Sequence, residues 1–104
     1  MILVQMLVAA TGGQVWQRGP AEQFAAFASD AREVEEGDCF VAVRGVHADG
    51  HDFAAEAAER GAHGVLVEAA RLAADDALRA RLGGTGATVI AVPASTTTQA
   101  LPIC

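Results

Sequence analysis

The chain has 104 residues, a net charge of −6, and a composition that is 52% apolar but only 5% aromatic. One domain fits this length, and its core must come mainly from Ala, Val and Leu. The negative net charge argues against nucleic acid and anionic membranes as partners. All seven basic residues are Arg, so this chain contains neither a Walker-loop lysine nor a Schiff-base lysine.

The two cysteines and the apolar N-terminus favour a cytoplasmic protein. Cys39 lies in an apolar run and Cys104 is the last residue, which is not the pattern of a disulfide framework. We therefore expect Cys39 to be a small buried apolar residue. The N-terminal apolar stretch has no basic residues before it and runs for roughly ten residues, too short to span a bilayer.

The first part of the chain predicts a helix followed by two short strands. Residues 2–10 are good helix formers, and Gly12–Gly13 can end that helix. The runs QVW at 14–16 and FAAFAS at 24–29 suit strands. The polar stretch 30–38 is predicted to be a loop.

Three later apolar runs, bounded by turn residues, predict buried strands at 39–43, 63–68 and 89–93. Helices are predicted between them, at 52–61 with Asp52 as N-cap and Gly61 after its end, and at 69–82. A further helix start is predicted at 95–101. This order implies a single small α/β domain with a mostly parallel sheet flanked by helices.

Three features that could suggest a cofactor site, a metal site or acid–base catalysis have simpler explanations. GGTGAT at 83–88 follows a predicted helix and precedes a strand, the reverse of a dinucleotide-binding loop. His47 and His51 are four residues apart on a Gly-containing loop, where this spacing fixes no common face. The acidic residues within 30–38 are typical of a solvated loop. We therefore predict no metal site and no catalytic residue in this chain.

The most specific motifs lie between Ser29 and Glu68. They are, in chain order, DAR at 30–32, EGDCFVA at 36–42, Gly45, DGHDF at 49–53 and Gly-Ala at 61–62. With these motifs and their spacing, the chain resembles the N-terminal domain of the Mur ligases. These ATP-dependent enzymes add amino acids or a dipeptide to UDP-N-acetylmuramoyl precursors of peptidoglycan. Weaker matches at 9–15 and 92–101 extend the resemblance over nearly the whole chain.

The resemblance implies a site for the uridine-diphosphate end of a UDP-N-acetylmuramoyl-peptide. The matching positions are Ser29, Asp30, Ala31, Arg32, Gly45, Val46, His47 and Ala48. Ala31 stands where the family has Ser or Thr, so a hydroxyl at this point is missing or is supplied by Ser29. The residues themselves agree with such a site, because both segments are loops at strand ends, where open α/β sheets bind ligands. Arg32 or Arg44 could pair with phosphate oxygens.

The resemblance places other functions outside residues 1–104. In the family, a central domain binds ATP and Mg²⁺ and a C-terminal domain binds the incoming amino acid or dipeptide. We therefore expect one N-terminal domain that has no cofactor of its own, is inactive alone, and has those two domains and the UDP-N-acetylmuramoyl-peptide as partners.

Within the family, ATGG at 10–13 and DGHDF at 49–53 favour the branch that adds D-alanyl-D-alanine. The branch that adds the third peptide residue is the alternative. Two further alternatives stay open: a stand-alone, non-catalytic sugar-nucleotide-binding module, and a structural α/β domain whose pocket has degenerated.

Overall fold

The computed structural model describes residues 2–42 and 50–93. Within these ranges the strands are β1 Ile2–Leu3, β2 Gln14–Gln17, β3 Gln23–Phe24, β4 Phe27–Ala28, β5 Cys39–Val41, β6 Gly64–Glu68 and β7 Thr88–Val92. The α-helices are α1 Val4–Thr11, α2 Ala54–Glu59, α3 Ala69–Ala74 and α4 Asp76–Gly83. Short 3-10 helices cover Ala31–Glu33 and Gly50–Phe53.

A five-stranded sheet in the order β2-β7-β6-β5-β4 forms the centre of the molecule. Strands β4 to β7 run parallel, and β2 joins the β7 edge antiparallel. Strands β1 and β3 form a separate antiparallel pair. The expected small α/β domain with a mostly parallel sheet is confirmed.

The core forms two layers, one on each face of the central sheet. Phe40, Val65, Val67 and Val89 face the layer that contains the alanines of α2 and the leucines of α3 and α4. Their neighbours along the same strands face α1, whose contributions are Val4 and Leu7. This alternation follows from the two-residue period of a strand. Eight residues of β5, β6 and β7 that the apolar runs single out are fully buried: Phe40, Val41, Val65, Leu66, Val67, Val89, Ile90 and Val92.

The single strand expected at 24–29 is wrong, because the segment forms two strands in different sheets. Phe24 pairs with Ile2 in β3, and Phe27 pairs with Cys39 in β4. Between them the N–H of Ala25 donates to the Gly37 carbonyl at 2.9 Å, and the carbonyl of Ala26 accepts from Cys39 at 2.9 Å. The chain therefore changes its hydrogen-bonding partner at this point.

The helix expected at 69–82 is interrupted at Asp75. This residue is extended, with φ −117° and ψ 95°, and its carboxylate accepts a hydrogen bond from the Leu78 N–H at 3.0 Å. Asp75 is thus the N-cap of α4, and the hydrogen bond from Leu78 lowers the pKa of its carboxyl. An aspartate inside an otherwise helical pattern can start a new helix because it caps the backbone N–H groups that follow.

Asp52 is not the N-cap of the helix that follows it. Phe53 takes that position without a side-chain cap bond, and Asp52 lies in the preceding 3-10 helix. Its carboxylate pairs with Arg71 at 2.8 Å instead. Gly61 follows the end of α2 with φ 117°, as expected of a residue after a helix. The helix start expected at 95–101 lies outside the described residues.

The first helix is also shorter than expected. Ile2 and Leu3 form β1, so α1 begins at Val4 and ends at Thr11. Gly12 follows in the left-handed region, with φ 72°, and its N–H donates to the Val8 carbonyl at 3.0 Å. This is the stop that the two glycines predict.

Candidate functional site

The carboxyl edge of the parallel sheet holds half of the predicted site. Residues 29–32 follow β4, and Ala28 of that strand is in register with Phe40 of β5. Because parallel neighbours end at the same edge, the segments that leave β4 and β5 start side by side. These are the two segments that carry the candidate residues.

Asp30 and Arg32 form the best-defined polar group at this edge. One oxygen of the Asp30 carboxylate accepts from the Arg32 backbone N–H at 2.9 Å and from its Nε at 3.1 Å. The other oxygen accepts from Nη2 at 2.8 Å. Asp30 therefore both caps the 3-10 helix Ala31–Glu33 and holds the guanidinium in one orientation.

The electrostatics of this pair follow from those bonds. The side-chain and backbone hydrogen bonds from Arg32 lower the pKa of Asp30 to about 2, and the carboxylate in turn raises the pKa of Arg32. The Arg32 side chain remains 81% exposed. Since Asp30 occupies the Nε and Nη2 side of the guanidinium, the remaining side of this exposed group faces solvent, where it can meet an anion.

Ser29 and Ala31 face in different directions. Ser29 is exposed at the end of β4, so its hydroxyl is accessible to a ligand. Ala31 is only 5% exposed and belongs to the core layer under α2. Its methyl group is therefore part of the packing, and only its backbone can contribute to a site.

The other four candidates, Gly45, Val46, His47 and Ala48, lie outside the described residues, as does Arg44. The structure does describe the chain on both sides of them. Before them, the Ala42 N–H donates to the Leu66 carbonyl at 2.9 Å. After them, His51 is 1% exposed, and its Nε2 accepts from the Glu68 N–H at 2.9 Å.

The buried bond of His51 is a feature that the sequence does not reveal. The motif DGHDF indicates that this segment shapes a loop and starts a helix, and the 3-10 helix Gly50–Phe53 leads directly into α2. Nothing in the sequence, however, pairs a histidine with a residue seventeen positions later. The sequence shows only that His51 precedes a helix whose buried face consists of alanines.

A second feature that sequence reasoning missed is a cavity of about 930 Å³ at the opposite, amino edge of the sheet. Its walls include residues that precede parallel strands, among them Ala25, Gly37, Ala62 and Ala87, and its polar lining includes Glu22, Glu36 and His63. None of the described candidate residues 29–32 lines it. Its walls come from segments that are distant in sequence, and their small side chains leave the space open.

Cys39 is confirmed as a buried apolar residue. It is 0% exposed, and burial, followed by the neighbouring charge of Asp38, raises the pKa of its thiol to about 12. Within 2–42 and 50–93, no three His, Cys, Asp or Glu side chains are grouped so that they could hold a metal ion. No helix in the same ranges is long and apolar enough to cross a membrane.

Comparison with known proteins identifies a family that this chain matches. The family model described as "Mur ligase family, catalytic domain" matches residues 25–101. The UDP-N-acetylmuramoyl-L-alanyl-D-glutamate–2,6-diaminopimelate ligase of Cytophaga hutchinsonii is 51% identical over 39 residues, which cover 38% of this chain and 8% of the relative. The ligase of the same name from Geobacillus thermodenitrificans is 38% identical over 65 residues, covering 62% of this chain and 13% of the relative.

Among solved structures, the chain is similar to the UDP-N-acetylmuramoylalanyl-D-glutamyl-2,6-diaminopimelate–D-alanyl-D-alanyl ligase of Acinetobacter baumannii. The TM-score is 0.64 at 26% identity, and the match covers 88% of this chain and 18% of that structure. The chain thus spans less than a fifth of the length of the relatives that it matches, from 8% to 18%.

Proposed function

Because the chain belongs to the Mur ligase family, we propose that it is the N-terminal, substrate-recognising domain of a peptidoglycan-precursor ligase that acts in the cytoplasm. In this role it binds the uridine-diphosphate end of a UDP-N-acetylmuramoyl-peptide. One observation carries the proposal: the segments after β4 and β5, which hold the family's motifs, leave neighbouring parallel strands at one edge of the sheet.

The described side chains at this edge have the chemistry that such a ligand needs. The Ser29 hydroxyl is exposed and can bond a uracil edge or a sugar hydroxyl. Arg32 is exposed and held in one orientation by Asp30, so its remaining donors can bond a phosphate oxygen. Asp30 neutralises the charge of Arg32, and the net charge of the chain is −6, so we expect weak binding through directional hydrogen bonds.

The residues of this chain do not fit an ATP site of the Walker type. The sequence contains no lysine, and the glycines at 83–86 lead from the end of α4 towards β7, whereas a phosphate loop leads from a strand into a helix. In our proposal, ATP, Mg²⁺ and amide formation therefore belong to central and C-terminal domains of the same ligase. Residues 1–104 contribute recognition of the nucleotide end of the substrate.

The relatives support two branches of the family. The similar solved structure, which covers 88% of this chain, is named as a D-alanyl-D-alanyl ligase. We propose this branch first, since ATGG at 10–13 and DGHDF at 49–53 also favour it. The curated relatives, among them one that is 51% identical over 39 residues, are named as 2,6-diaminopimelate ligases, which supports the branch that adds the third residue as the second candidate.

Calorimetric titration of the 104-residue chain tests the proposal. UDP and the UDP-N-acetylmuramoyl-peptides should bind, and Arg32→Ala should weaken binding roughly fivefold, about the value of one hydrogen bond. Arg18→Ala is the matched control. It removes the same charge from an exposed residue next to β2, whose carboxyl end lies at the opposite edge of the sheet, and it should leave the affinity unchanged. Equal effects of both variants would mean that only bulk charge matters.

The same titration distinguishes between the two candidate branches of the family. The D-alanyl-D-alanine branch takes a muramoyl-tripeptide, and the other branch takes a muramoyl-dipeptide. Tighter binding of the UDP-N-acetylmuramoyl-tripeptide supports the first candidate, and tighter binding of the dipeptide form supports the second. Equal affinity for both would show that the domain recognises only the shared nucleotide and sugar, and the branch would then be decided elsewhere in the ligase.

A further inference from the structure

The cavity at the amino edge of the sheet has the size and the walls of a small-molecule site. Its volume of about 930 Å³ lies within the range of roughly 300–1,000 Å³ that ligand pockets occupy. Small residues that precede β4, β5, β6 and β7 form much of its wall: Ala25, Gly37, Ala62 and Ala87. A Cβ atom on Gly86, also in the wall, would have no neighbour within 4 Å. The cavity therefore has room for the apolar body of an organic molecule.

Hydrogen bonds between backbone groups hold the walls of this cavity in place. The N–H of Ala25 donates to the Gly37 carbonyl at 2.9 Å, which joins the segments before β4 and β5. The carbonyl of Glu22 accepts from the Val4 N–H at 2.9 Å, which ties the stretch before β3 to the start of α1. A ligand would thus enter a site whose backbone is already ordered, so binding costs less conformational entropy.

The formally charged residues in the cavity wall are both acidic. They are Glu22 and Glu36, which are exposed, and neither forms an ion pair with another described residue. The described wall contains no arginine, and the whole chain contains no lysine. Two uncompensated carboxylates attract cations and repel anions. This cavity therefore suits the opposite ligand charge from the carboxyl edge, where the guanidinium of Arg32 is exposed.

The wall fits an organic cation better than a metal ion. In the part of the chain that the structure describes, no three His, Cys, Asp or Glu side chains come together as metal ligands. An ammonium group, in contrast, needs only oxygen acceptors for its N–H donors, and carboxylates are the strongest of these. An apolar body attached to the ammonium group gains free energy when the small apolar side chains of the wall cover it.

We propose that the amino-edge cavity binds an organic cation. The ammonium group of the ligand pairs with the carboxylates of Glu22 and Glu36, and its apolar body fills the space beside Ala25 and Gly86. The inference goes beyond nucleotide recognition and does not rest on it, because the cavity wall includes none of residues 29–32.

Three ligands with one apolar body and different charges test the inference. 4-Phenylbutylamine, 4-phenylbutan-1-ol and 4-phenylbutanoate are titrated separately into the ¹⁵N-labelled 104-residue chain, and the amide signals are followed by NMR. We expect the amine to shift signals of the cavity wall, with a dissociation constant on the order of a millimolar for a molecule of this size. The alcohol should bind several-fold more weakly, and the anion more weakly still. Added salt should weaken binding of the amine, because it screens exposed carboxylates.

Removal of one carboxylate at a time tests the ion pairing. Glu22→Gln and Glu36→Gln should each weaken binding of the amine roughly two- to fivefold, as expected for an exposed ion pair, and leave binding of the alcohol unchanged. Glu33→Gln is the control. It removes the same charge from an exposed residue of the 3-10 helix Ala31–Glu33, which does not line the cavity, so the affinity for the amine should stay at the wild-type value.

A larger side chain in the wall tests the location of the site. Ala25→Leu fills part of the cavity and should abolish binding of the amine. Ala25 is exposed, so the larger side chain does not have to enter the core. Ala26→Leu makes the same change at the next residue, which is also exposed but lies outside the wall, and this variant should bind the amine like the wild type.

Equal affinity for the amine, the alcohol and the anion overturns the inference, and so do shifts that lie only outside the cavity wall, or no shifts with a folded spectrum. Equal losses in Glu22→Gln, Glu36→Gln and Glu33→Gln also overturn it, because only the total charge of the chain would then matter. If Ala25→Leu does not fold, Glu36→Gln decides: a selective loss of affinity for the amine supports the inference, and wild-type affinity overturns it. None of these outcomes depends on whether the chain binds UDP.

Discussion

Asp30 and Arg32 show what the structure adds to a three-residue candidate motif. The sequence identifies DAR at 30–32 as a candidate, and the structure adds the two-oxygen contact that orients the guanidinium. It also shows that Ala31, between them, belongs to the core at 5% exposure. Side-chain identity could be read from the sequence, but the direction in which each side chain points depends on a 3-10 helix in a segment expected to be a loop.

Titration of the Asp30 carboxyl by NMR tests the pair at the residue scale. The hydrogen bonds from Arg32 lower the pKa of this carboxyl, so its midpoint should be about 2 in the wild type, against an ordinary value of 3.8. Arg32→Ala removes the side-chain bonds, and the midpoint should rise towards 3.8. An unchanged midpoint in Arg32→Ala would show that the pair does not persist in solution.

The direction in which pH changes the stability contribution of this pair follows from the lowered pKa of Asp30. A carboxyl with a lowered folded-state pKa favours the folded pair at pH values above 3.8, and that contribution disappears as the pH falls through about 2. The Arg32 side chain is 81% exposed and that of Asp30 is 35% exposed, so water screens the pair and its effect on global stability should be small. The local NMR signal of Asp30 is therefore the appropriate readout, and global unfolding is not.

At the scale of elements, the buried strands could be predicted from the sequence. The split of the strand expected at 24–29 and the break in the helix expected at 69–82 could not. The runs at 39–43, 63–68 and 89–93 are apolar throughout because both faces of a central parallel strand are covered, and they correspond to β5, β6 and β7. The split between β3 and β4 depends on a change of partner strand, from β1 to β5. A change of partner is a tertiary contact that local composition does not encode.

Gly64 provides a test of how closely β6 packs against the α1 layer. A Cβ atom at this position would lie 2.3 Å from two carbons of the Phe24 ring, which is fully buried. Gly64→Ala should therefore force the ring or the strand to move and lower the free energy of unfolding by about 1–3 kcal/mol. Unfolding in urea, followed by circular dichroism, measures this change.

Gly86→Ala is the matched control for that experiment. A Cβ atom at Gly86 would have no neighbour within 4 Å, and the backbone there does not have positive φ. The free energy of unfolding should therefore change by less than about 1 kcal/mol. Similar losses in both variants would contradict the close contact between Gly64 and Phe24.

For the whole molecule, the sequence could predict a candidate site at the carboxyl edge of the sheet, but it could not predict the cavity at the opposite edge. The proposal of a carboxyl-edge site follows from the order of elements and from the family's motifs. The cavity of about 930 Å³ at the amino edge is bounded by Leu3, Pro20, Ala58 and Gly86 among others. These residues come together only when the β1–β3 pair is placed beside the central sheet, so no sequence pattern predicts the cavity.

A titration that distinguishes the carboxyl edge from the amino-edge cavity tests the proposed recognition of the nucleotide most directly. Unlabelled UDP is titrated into ¹⁵N-labelled chain, and the amide signals are followed by NMR. We predict shifts that are confined to residues near 29–32 and 45–48 and to the ends of β5 and β6, while the signals of residues that line the amino-edge cavity stay unchanged. Shifts confined to that cavity, or none at millimolar UDP with a folded spectrum, would contradict recognition of the nucleotide at the carboxyl edge.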